Sequence, residues 1–152
     1  MAGPRPVEGG RALLFERLVD LEPGQGEARP FVLHDGPGLR ESVRTELERL
    51  LSTRLSLPPG DLAHRHRSTI DYGIPDGAVI SPADPLGRAL LAEQIATAIR
   101  SFEPRLLEPA VSLHTQPERG ESLIAEIAGH LDMGPLLEPI CFAIPLGNDH
   151  ER

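Results

Sequence analysis

The eight residues from Ile99 to Leu106, Ile-Arg-Ser-Phe-Glu-Pro-Arg-Leu, mark the point where this sequence changes from helical to strand patterning. Pro104 disfavours helical geometry at the residue before it, so a helix that reaches Phe102 must end at Glu103. A glutamate at this end of a helix faces the negative end of the helix dipole and needs a cation nearby. The planar guanidinium of Arg105 can supply it by binding a carboxylate or the last carbonyls of the helix. The sequence therefore predicts a sharp corner built on Glu103, Pro104 and Arg105.

Three segments before this corner space their apolar residues as helices do. The first covers residues 11–21, the second 39–55 and the third 85–102. Asp84 followed by Pro85 is typical of a helix N-cap and a first-turn proline, which supports the start of the third helix. The predicted core-facing residues of the first helix are Leu14, Leu18 and Leu21, and those of the second are Leu39, Val43, Leu47, Leu50 and Leu51.

Three segments after the corner alternate or read as strands. They cover residues 110–115, 122–132 and 140–146, and prolines at 139 and 145 allow the last one to be only an edge strand or a short strand. Helices followed by strands indicate an α+β fold. We therefore predict three N-terminal helices followed by a small antiparallel sheet of about three strands, with the long third helix packed on the sheet.

Composition limits the classes of function. The chain has 152 residues, which suits one domain, and its 15 basic and 23 acidic side chains give a net charge of −8, which argues against nucleic acid as a partner. Cys141 is the only cysteine, so no disulfide forms within the chain, and we expect it to be buried in the last strand. Because neither a secretory signal nor an apolar run of about 20 residues is visible, we expect a cytoplasmic protein without direct membrane insertion.

The sequence contains no strong pattern for chemistry. His64 and His66 stand near Asp61, but Arg65 and Arg67 flank them, so a solvated loop explains them better than a metal site. Neither a nucleophile elbow nor a glycine-rich phosphate loop is present. We therefore predict no catalytic residues, no metal and no cofactor.

A loop of defined shape is predicted for the stretch Asp71-Tyr72-Gly73-Ile74-Pro75-Asp76, because Gly73 widens the choice of backbone conformations at its position and Pro75 restricts it. Together with three other stretches, this loop resembles TssE, the small wedge subunit of the type VI secretion baseplate, and the related phage baseplate proteins once labelled lysozymes. The other stretches are Leu14 to Leu18, Ser42 to Arg54, and Ile99 to Leu106. The four occur in the family's order and span about residues 11–146.

This resemblance implies a single baseplate domain over residues 11–146, with flexible tails at 1–10 and 147–152. It implies a structural subunit that helps assemble the baseplate and initiates polymerisation of the contractile sheath. The expected partners are wedge subunits of the TssF, TssG and TssK types and sheath proteins of the TssB and TssC types. The expected location is the cytoplasmic baseplate docked on the inner membrane complex, and the isolated chain is expected to be a monomer. The residues that the resemblance marks for structure or interaction are Glu103, Pro104, Arg105, Asp71, Tyr72, Gly73, Pro75, Asp76 and Arg54.

Two other functions are compatible with parts of the sequence. A peptidoglycan hydrolase would use Glu103 as its acid, but Arg105 favours the ionised carboxylate, and the chain has no Trp and one Tyr for stacking on a sugar. A free-standing adaptor domain would bind a different partner through the acidic surface. It predicts no dependence on the Glu-Pro-Arg corner, so substitutions there distinguish it from a baseplate subunit.

Overall fold

The computed structural model describes residues 9–14, 16, 33–55, 66–76, 84–116 and 122–146. Two strands, a helix, a 3₁₀ turn, a second helix and three strands follow one another along the chain. They are β1 (Gly10–Arg11), β2 (Leu33–His34), α1 (Gly36–Ser52), the 3₁₀ turn (Thr69–Asp71), α2 (Pro85–Phe102), β3 (Leu106–Gln116), β4 (Ser122–Asp132) and β5 (Leu137–Pro145).

Both helices begin with the same local chemistry. The Asp35 carboxylate accepts a hydrogen bond from the Gly38 amide (2.9 Å), and the Asp84 carboxylate accepts one from the Leu86 amide (3.0 Å). A proline occupies the first turn of each helix, where it costs no hydrogen bond. The predicted N-cap at Asp84 is thus confirmed. Each helix buries one apolar face in a common core, which includes Leu39, Val43, Leu47, Leu91, Ile95 and Ile99.

The three C-terminal strands form an antiparallel sheet in the order β3-β4-β5. Their alternation places Leu123, Ala125, Ile127 and Leu131 of β4 on the inner face, where they join the core. Helix α2 packs on this face mainly along β3. β3 is longer than the alternation predicts, because the register shifts between Leu107 and Ala110 and Glu108 has a φ of +50°. Because the bulge interrupts the alternation of inward and outward side chains, the sequence pattern does not predict the first residues of β3.

The prediction that Cys141 is buried is wrong. It lies in a strand as expected, but its side chain is exposed. The inner-face positions of β5 are the even-numbered ones, with Phe142 and Ile144 buried, so Cys141 belongs to the outer face and stands opposite Ala128.

The prediction of three N-terminal helices with a long third helix is also wrong. The described residues form two α-helices of 17 and 18 residues, and a pair of two-residue strands precedes the first. Arg11, at the start of the predicted first helix, pairs with Leu33 in β1–β2. Leu14 and Glu16 have helical backbone, but Leu14 is 66% exposed and takes no part in the core. Residues 17–21 of that predicted helix lie outside those described. Helix α1 begins at Gly36, three residues before the predicted start at Leu39.

Neither described helix is long and apolar enough to cross a membrane. The predicted tails fall mostly on residues 1–8 and 147–152, which are not described, as is the 117–121 connection between β3 and β4.

Candidate assembly site at the helix–sheet corner

The predicted corner is a buried ion pair. Helix α2 ends at Phe102 and is capped by Glu103, whose amide donates to the Ile99 carbonyl (2.8 Å), and β3 begins at Leu106. Arg105 Nε and a terminal guanidinium nitrogen donate to the two carboxylate oxygens of Glu103, at 2.8 and 2.7 Å. Glu103 is 0% exposed and Arg105 is 7% exposed. This buried bidentate ion pair fixes the direction in which the chain turns at Pro104.

The second terminal nitrogen of Arg105 reaches two earlier parts of the chain. It donates to Ser42 Oγ on α1 (2.7 Å) and to the Arg11 carbonyl in β1 (3.3 Å). It also lies 3.6 Å from a carboxylate oxygen of Glu16. Arg105 therefore joins the N-terminal segment, α1 and the start of the sheet.

Glu16 completes this cluster. Its carboxylate accepts hydrogen bonds from Ser42 Oγ and from the Leu13 amide, and it lies 3.3 Å from His34 Nε2. Burial acts to raise the pKa of Glu16, but the hydrogen bonds from Ser42, Leu13 and His34 lower it below its ordinary value. The ionised form is thus favoured beside the guanidinium of Arg105.

The loop from Asp71 to Asp76 starts with a buried acid. The Asp71 side chain is 0% exposed and accepts hydrogen bonds from the Ser68 amide (2.9 Å) and the Ser68 hydroxyl (3.1 Å). The Asp71 amide donates in turn to the Ser68 carbonyl (2.9 Å), which closes the 3₁₀ turn. Asp71 therefore fixes how the chain enters the loop.

Tyr72 links the loop to both helices. Its hydroxyl donates to a carboxylate oxygen of Glu46 on α1 (2.7 Å), and its ring meets Phe102 on α2 edge to face, with centroids 5.2 Å apart. Burial, reinforced by the hydrogen bond to Glu46, raises the pKa of Tyr72 well above its ordinary value. Because Phe102 immediately precedes Glu103, Tyr72 of the loop packs next to the corner.

Gly73 and Ile74 attach the loop to the end of α1. Ile74 and the Thr53–Leu55 backbone exchange two hydrogen bonds of 3.0 and 2.8 Å in a parallel bridge. Gly73 has a φ of +116°, and a Cβ atom there would lie 2.6 Å from the Thr53 carbonyl oxygen. Glycine is therefore required here for two reasons: other residues rarely adopt this φ, and a Cβ atom would clash with the Thr53 carbonyl oxygen.

Arg54 connects the end of the loop to the end of the sheet. Its guanidinium donates to the Leu51 carbonyl (3.0 Å) and the Leu146 carbonyl (3.4 Å), and its Nε lies 3.5 Å from Asp76. Pro75, between Ile74 and Asp76, is buried. All nine residues marked by the sequence are thus described, and they form two clusters along α1.

Helix α1 is what brings the two clusters into one frame. Ser42 contacts the corner, Glu46 contacts the loop one turn later, and Arg54 follows the end of the helix. Sequence reasoning did not single out Ser42, Glu46, Glu16 or His34. A signal existed for Ser42, since it falls on the buried face of α1 between Leu39 and Val43 and is a polar residue there.

This geometry leaves no acid for hydrolysis at Glu103. Both of its carboxylate oxygens accept hydrogen bonds from Arg105, and the side chain has no exposed surface from which to reach a substrate. Among the residues described, no three His, Cys, Asp or Glu side chains are grouped as metal ligands. His64 lies outside the described residues, and His66 is exposed. The arrangement is suited to holding elements in place.

A family profile described as baseplate wedge protein gp25 matches residues 38–136. The chain belongs to this family. The match includes nearly all of α1, the loop, α2, the Glu-Pro-Arg corner and the sheet up to the β4–β5 turn, so all nine marked residues lie within it, whereas Glu16 and His34 precede it. The chain is accordingly a structural subunit of a baseplate.

Two solved structures resemble this wedge protein. A chain of the baseplate complex from the type VI secretion system is 23% identical, with a TM-score of 0.51, and the match covers 72% of this chain and 95% of that one. A putative tail lysozyme from Geobacter sulfurreducens is 16% identical, with a TM-score of 0.46, and the match covers 78% and 97%. The first supports the fold. No curated protein sequence matches the chain significantly.

Proposed function

We propose that this wedge protein belongs to a baseplate of the type VI secretion class, where it helps assemble the baseplate and initiates polymerisation of the contractile sheath without catalysing a reaction. Membership of the baseplate wedge family supports the place in a baseplate. The outer edge of β5 supports the role in sheath polymerisation, because it offers main-chain groups to a strand from another protein.

The register identifies which groups face outward on β5. The Leu146 amide donates to the Leu123 carbonyl (2.8 Å), so these two residues form a hydrogen-bonded pair. Such pairs recur at every second residue of an antiparallel ladder. Ile144 opposite Ala125 and Phe142 opposite Ile127 are therefore hydrogen-bonded pairs as well. The main-chain groups of the odd-numbered residues of β5 point away from β4.

Prolines 139 and 145 occupy two of these outward positions, where they remove no hydrogen bond from the sheet. Between them, Cys141 and Ala143 present outward amides. No other strand of the described residues lies beside this edge. Strand addition uses such amides for affinity, and the prolines confine it to a short segment. The edge thus suits a short extended arm of a sheath protein.

The corner gives this edge a fixed position. The Arg105 carbonyl accepts a hydrogen bond from the Asp132 amide at the end of β4 (2.9 Å), and β5 follows after a short turn. Arg40 of α1 forms an ion pair with Glu138 of β5. A sheet held in this way requires little ordering when a strand is added, which favours its use as a template.

The partners follow from this role. Wedge subunits of the TssF, TssG and TssK types would surround the chain, and sheath proteins of the TssB and TssC types would begin to polymerise on it. The complex would lie in the cytoplasm, docked on the inner membrane complex, and the isolated chain would be a monomer. The β5 edge would make the contact with the sheath protein.

A pair of substitutions at one position tests the sheath contact. Ala143→Pro removes an outward amide in the way that Pro139 and Pro145 already do, whereas Ala143→Ser keeps the amide and changes the side chain. In cells that produce the complete machine with a fluorescent sheath protein, Ala143→Pro should abolish sheath assembly and Ala143→Ser should retain it. The purified Ala143→Pro chain should keep the wild-type circular dichroism spectrum. Sheaths at wild-type frequency in the folded Ala143→Pro variant would contradict the proposal.

A further inference from the structure

The N-terminal segment lies over the corner and is held there by little apolar surface. This segment, which we call the strap, consists of residues 10–14 and Glu16. Its two-residue strand β1 pairs with β2, and among these described residues Ala12 is the one apolar side chain that is buried. Leu14 is 66% exposed. Because burial of one methyl group contributes little, the attachment of the strap depends on its polar contacts.

These polar contacts converge on the carboxylate of Glu16. It accepts hydrogen bonds from the Leu13 amide within the strap and from the Ser42 hydroxyl on α1. His34 Nε2 in β2 lies 3.3 Å from it, and a terminal nitrogen of Arg105 lies 3.6 Å from it. Hydrogen bonds to an ionised carboxylate are stronger than those between neutral groups. The side chain of Glu16 is therefore the main polar attachment of the strap.

Arg105 uses different nitrogens for the strap and for the corner. Its Nε and one terminal nitrogen bind the two oxygens of Glu103. Its other terminal nitrogen faces Glu16 and donates to the Arg11 carbonyl and to Ser42 Oγ. Detachment of the strap would therefore break no hydrogen bond between Glu103 and Arg105. The corner keeps its ion pair whether the strap is attached or not.

The strap covers groups that can bind a carboxylate. Gly10 packs so closely on Leu39 that a Cβ atom there would collide with the Leu39 side chain. Leu39 is 0% exposed and Arg105 is 7% exposed beneath the strap. Without the strap, one guanidinium nitrogen and the Ser42 hydroxyl would lie beside an apolar side chain at the surface. The strap and β2 also precede residue 38, where the match to the wedge family begins.

We propose that the strap opens and closes while the rest of the domain stays folded, with Glu16 as the latch. In the closed state Glu16 occupies the carboxylate-binding groups of Arg105 and Ser42, and in the open state these groups are exposed to solvent. Segments held by few apolar contacts open locally more often than the whole domain unfolds. This property belongs to the fold of the chain, so it does not depend on the proposed sheath contact.

Thiol labelling at position 12 measures this opening. Cys141→Ser removes the only native thiol, and Ala12→Cys then places one thiol in the strap, where a small apolar residue is buried. Labelling by a disulfide reagent is followed in urea below the unfolding transition, and unfolding of the same variant is followed by circular dichroism. Position 12 should label at least about tenfold faster than global unfolding allows. Its rate should hardly depend on urea, because opening exposes little surface.

Two matched substitutions test the latch. Glu16→Gln should speed labelling at position 12 by at least about tenfold, because it replaces hydrogen bonds to a charged group with neutral ones. Glu41→Gln makes the same chemical change on the exposed side of α1, one residue before Ser42. It should change the rate by less than about twofold, as is usual for a surface substitution. Hydrogen exchange of the strap amides in chains with the native Ala12 should give the same order of rates.

Each outcome decides the proposal. Labelling at position 12 that follows global unfolding, with the same dependence on urea, would show that the strap opens only when the domain unfolds and would overturn it. Equal rates in Glu16→Gln and Glu41→Gln would show that the carboxylate is not the latch. A thiol that labels as fast as in the unfolded chain would show that the strap does not close, which also refutes the proposal.

Discussion

Removing Arg105 should destabilise the fold far more than removing any surface arginine. Arg105→Ala leaves the carboxylate of Glu103 with 0% exposure and without the guanidinium that now binds both of its oxygens. Breaking a buried pair by removing one partner typically costs about 3–5 kcal/mol. Since a domain of this size is stable by about 5–15 kcal/mol, we expect the variant to lose a large part of its stability.

The assay is urea unfolding at pH 7, followed by circular dichroism. Arg44→Ala is the control, because Arg44 pairs with Glu48 at 3.0 Å on the exposed side of α1. An exposed pair of this kind contributes about 0.3–0.5 kcal/mol. The two variants should therefore differ in unfolding free energy by several kcal/mol.

A double-mutant cycle shows whether the loss comes from the uncompensated charge. The combination Glu103→Leu with Arg105→Met removes both charges, so it should be more stable than Arg105→Ala. If Arg105→Ala costs less than about 1 kcal/mol, the corner is not held by this ion pair. The same holds if the double variant loses the sum of the losses of Glu103→Leu and of Arg105→Met, each measured alone.

Four further predictions concern the loop and the outer face of the sheet. Gly73→Ala should lower the unfolding free energy by about 1–3 kcal/mol or more, measured by urea unfolding, because both its φ and its space exclude a Cβ. Tyr72 is the only Tyr and there is no Trp, so ultraviolet titration should report this phenol alone. The phenol should stay protonated above its ordinary pKa of about 10. Since the pKa is raised in the folded state, the contribution of Tyr72 to stability is complete below about pH 10 and declines above it. Tyr72→Phe should cost about 1.5–3 kcal/mol through the lost bond to Glu46. Desolvation by neighbouring atoms and the carboxylate of Glu126, which accepts a hydrogen bond from the thiol at 3.7 Å, raise the pKa of the exposed Cys141. Glu126→Gln should therefore lower this pKa and speed reaction with a disulfide reagent at pH 8.

The controls use positions with matched chemistry. Gly134 also has a positive φ, of +82°, but a Cβ there would meet nothing within 4 Å, so Gly134→Ala should cost less than Gly73→Ala. Equal losses would show that the approach of Thr53 does not matter. A phenol that titrates at its ordinary pKa in the folded protein, or a thiol rate unchanged by Glu126→Gln, would contradict the geometry described for those side chains.

Local chemistry made part of the fold predictable. Asp84 with Pro85 fixed where α2 begins, and the alternation in β4 predicted its bounds at 122 and 132, because each signal depends on neighbouring residues only. The strands β1 and β2 have two residues each, which is too short for a periodic pattern, so no local signal predicted them. The exposure of Cys141 was accessible from alternation, since Ile140, Phe142 and Ile144 take the inner positions.

The site was predictable only where its partners are adjacent in sequence. Glu103 and Arg105 are two residues apart, so their pairing follows from the proline corner. Ser42 lies 63 residues before Arg105, and Glu46 lies 26 before Tyr72. Contacts at such separations depend on how α1 packs, and a single sequence carries no local signal for them.

The central claim is that this chain is a structural subunit of a baseplate, and co-expression with TssF-, TssG- and TssK-type subunits from the same genome tests it most directly. Size exclusion followed by native mass spectrometry should show a complex of defined stoichiometry that contains this chain. A folded monomer that joins none of these subunits, and that releases soluble fragments from purified cell wall, would contradict it.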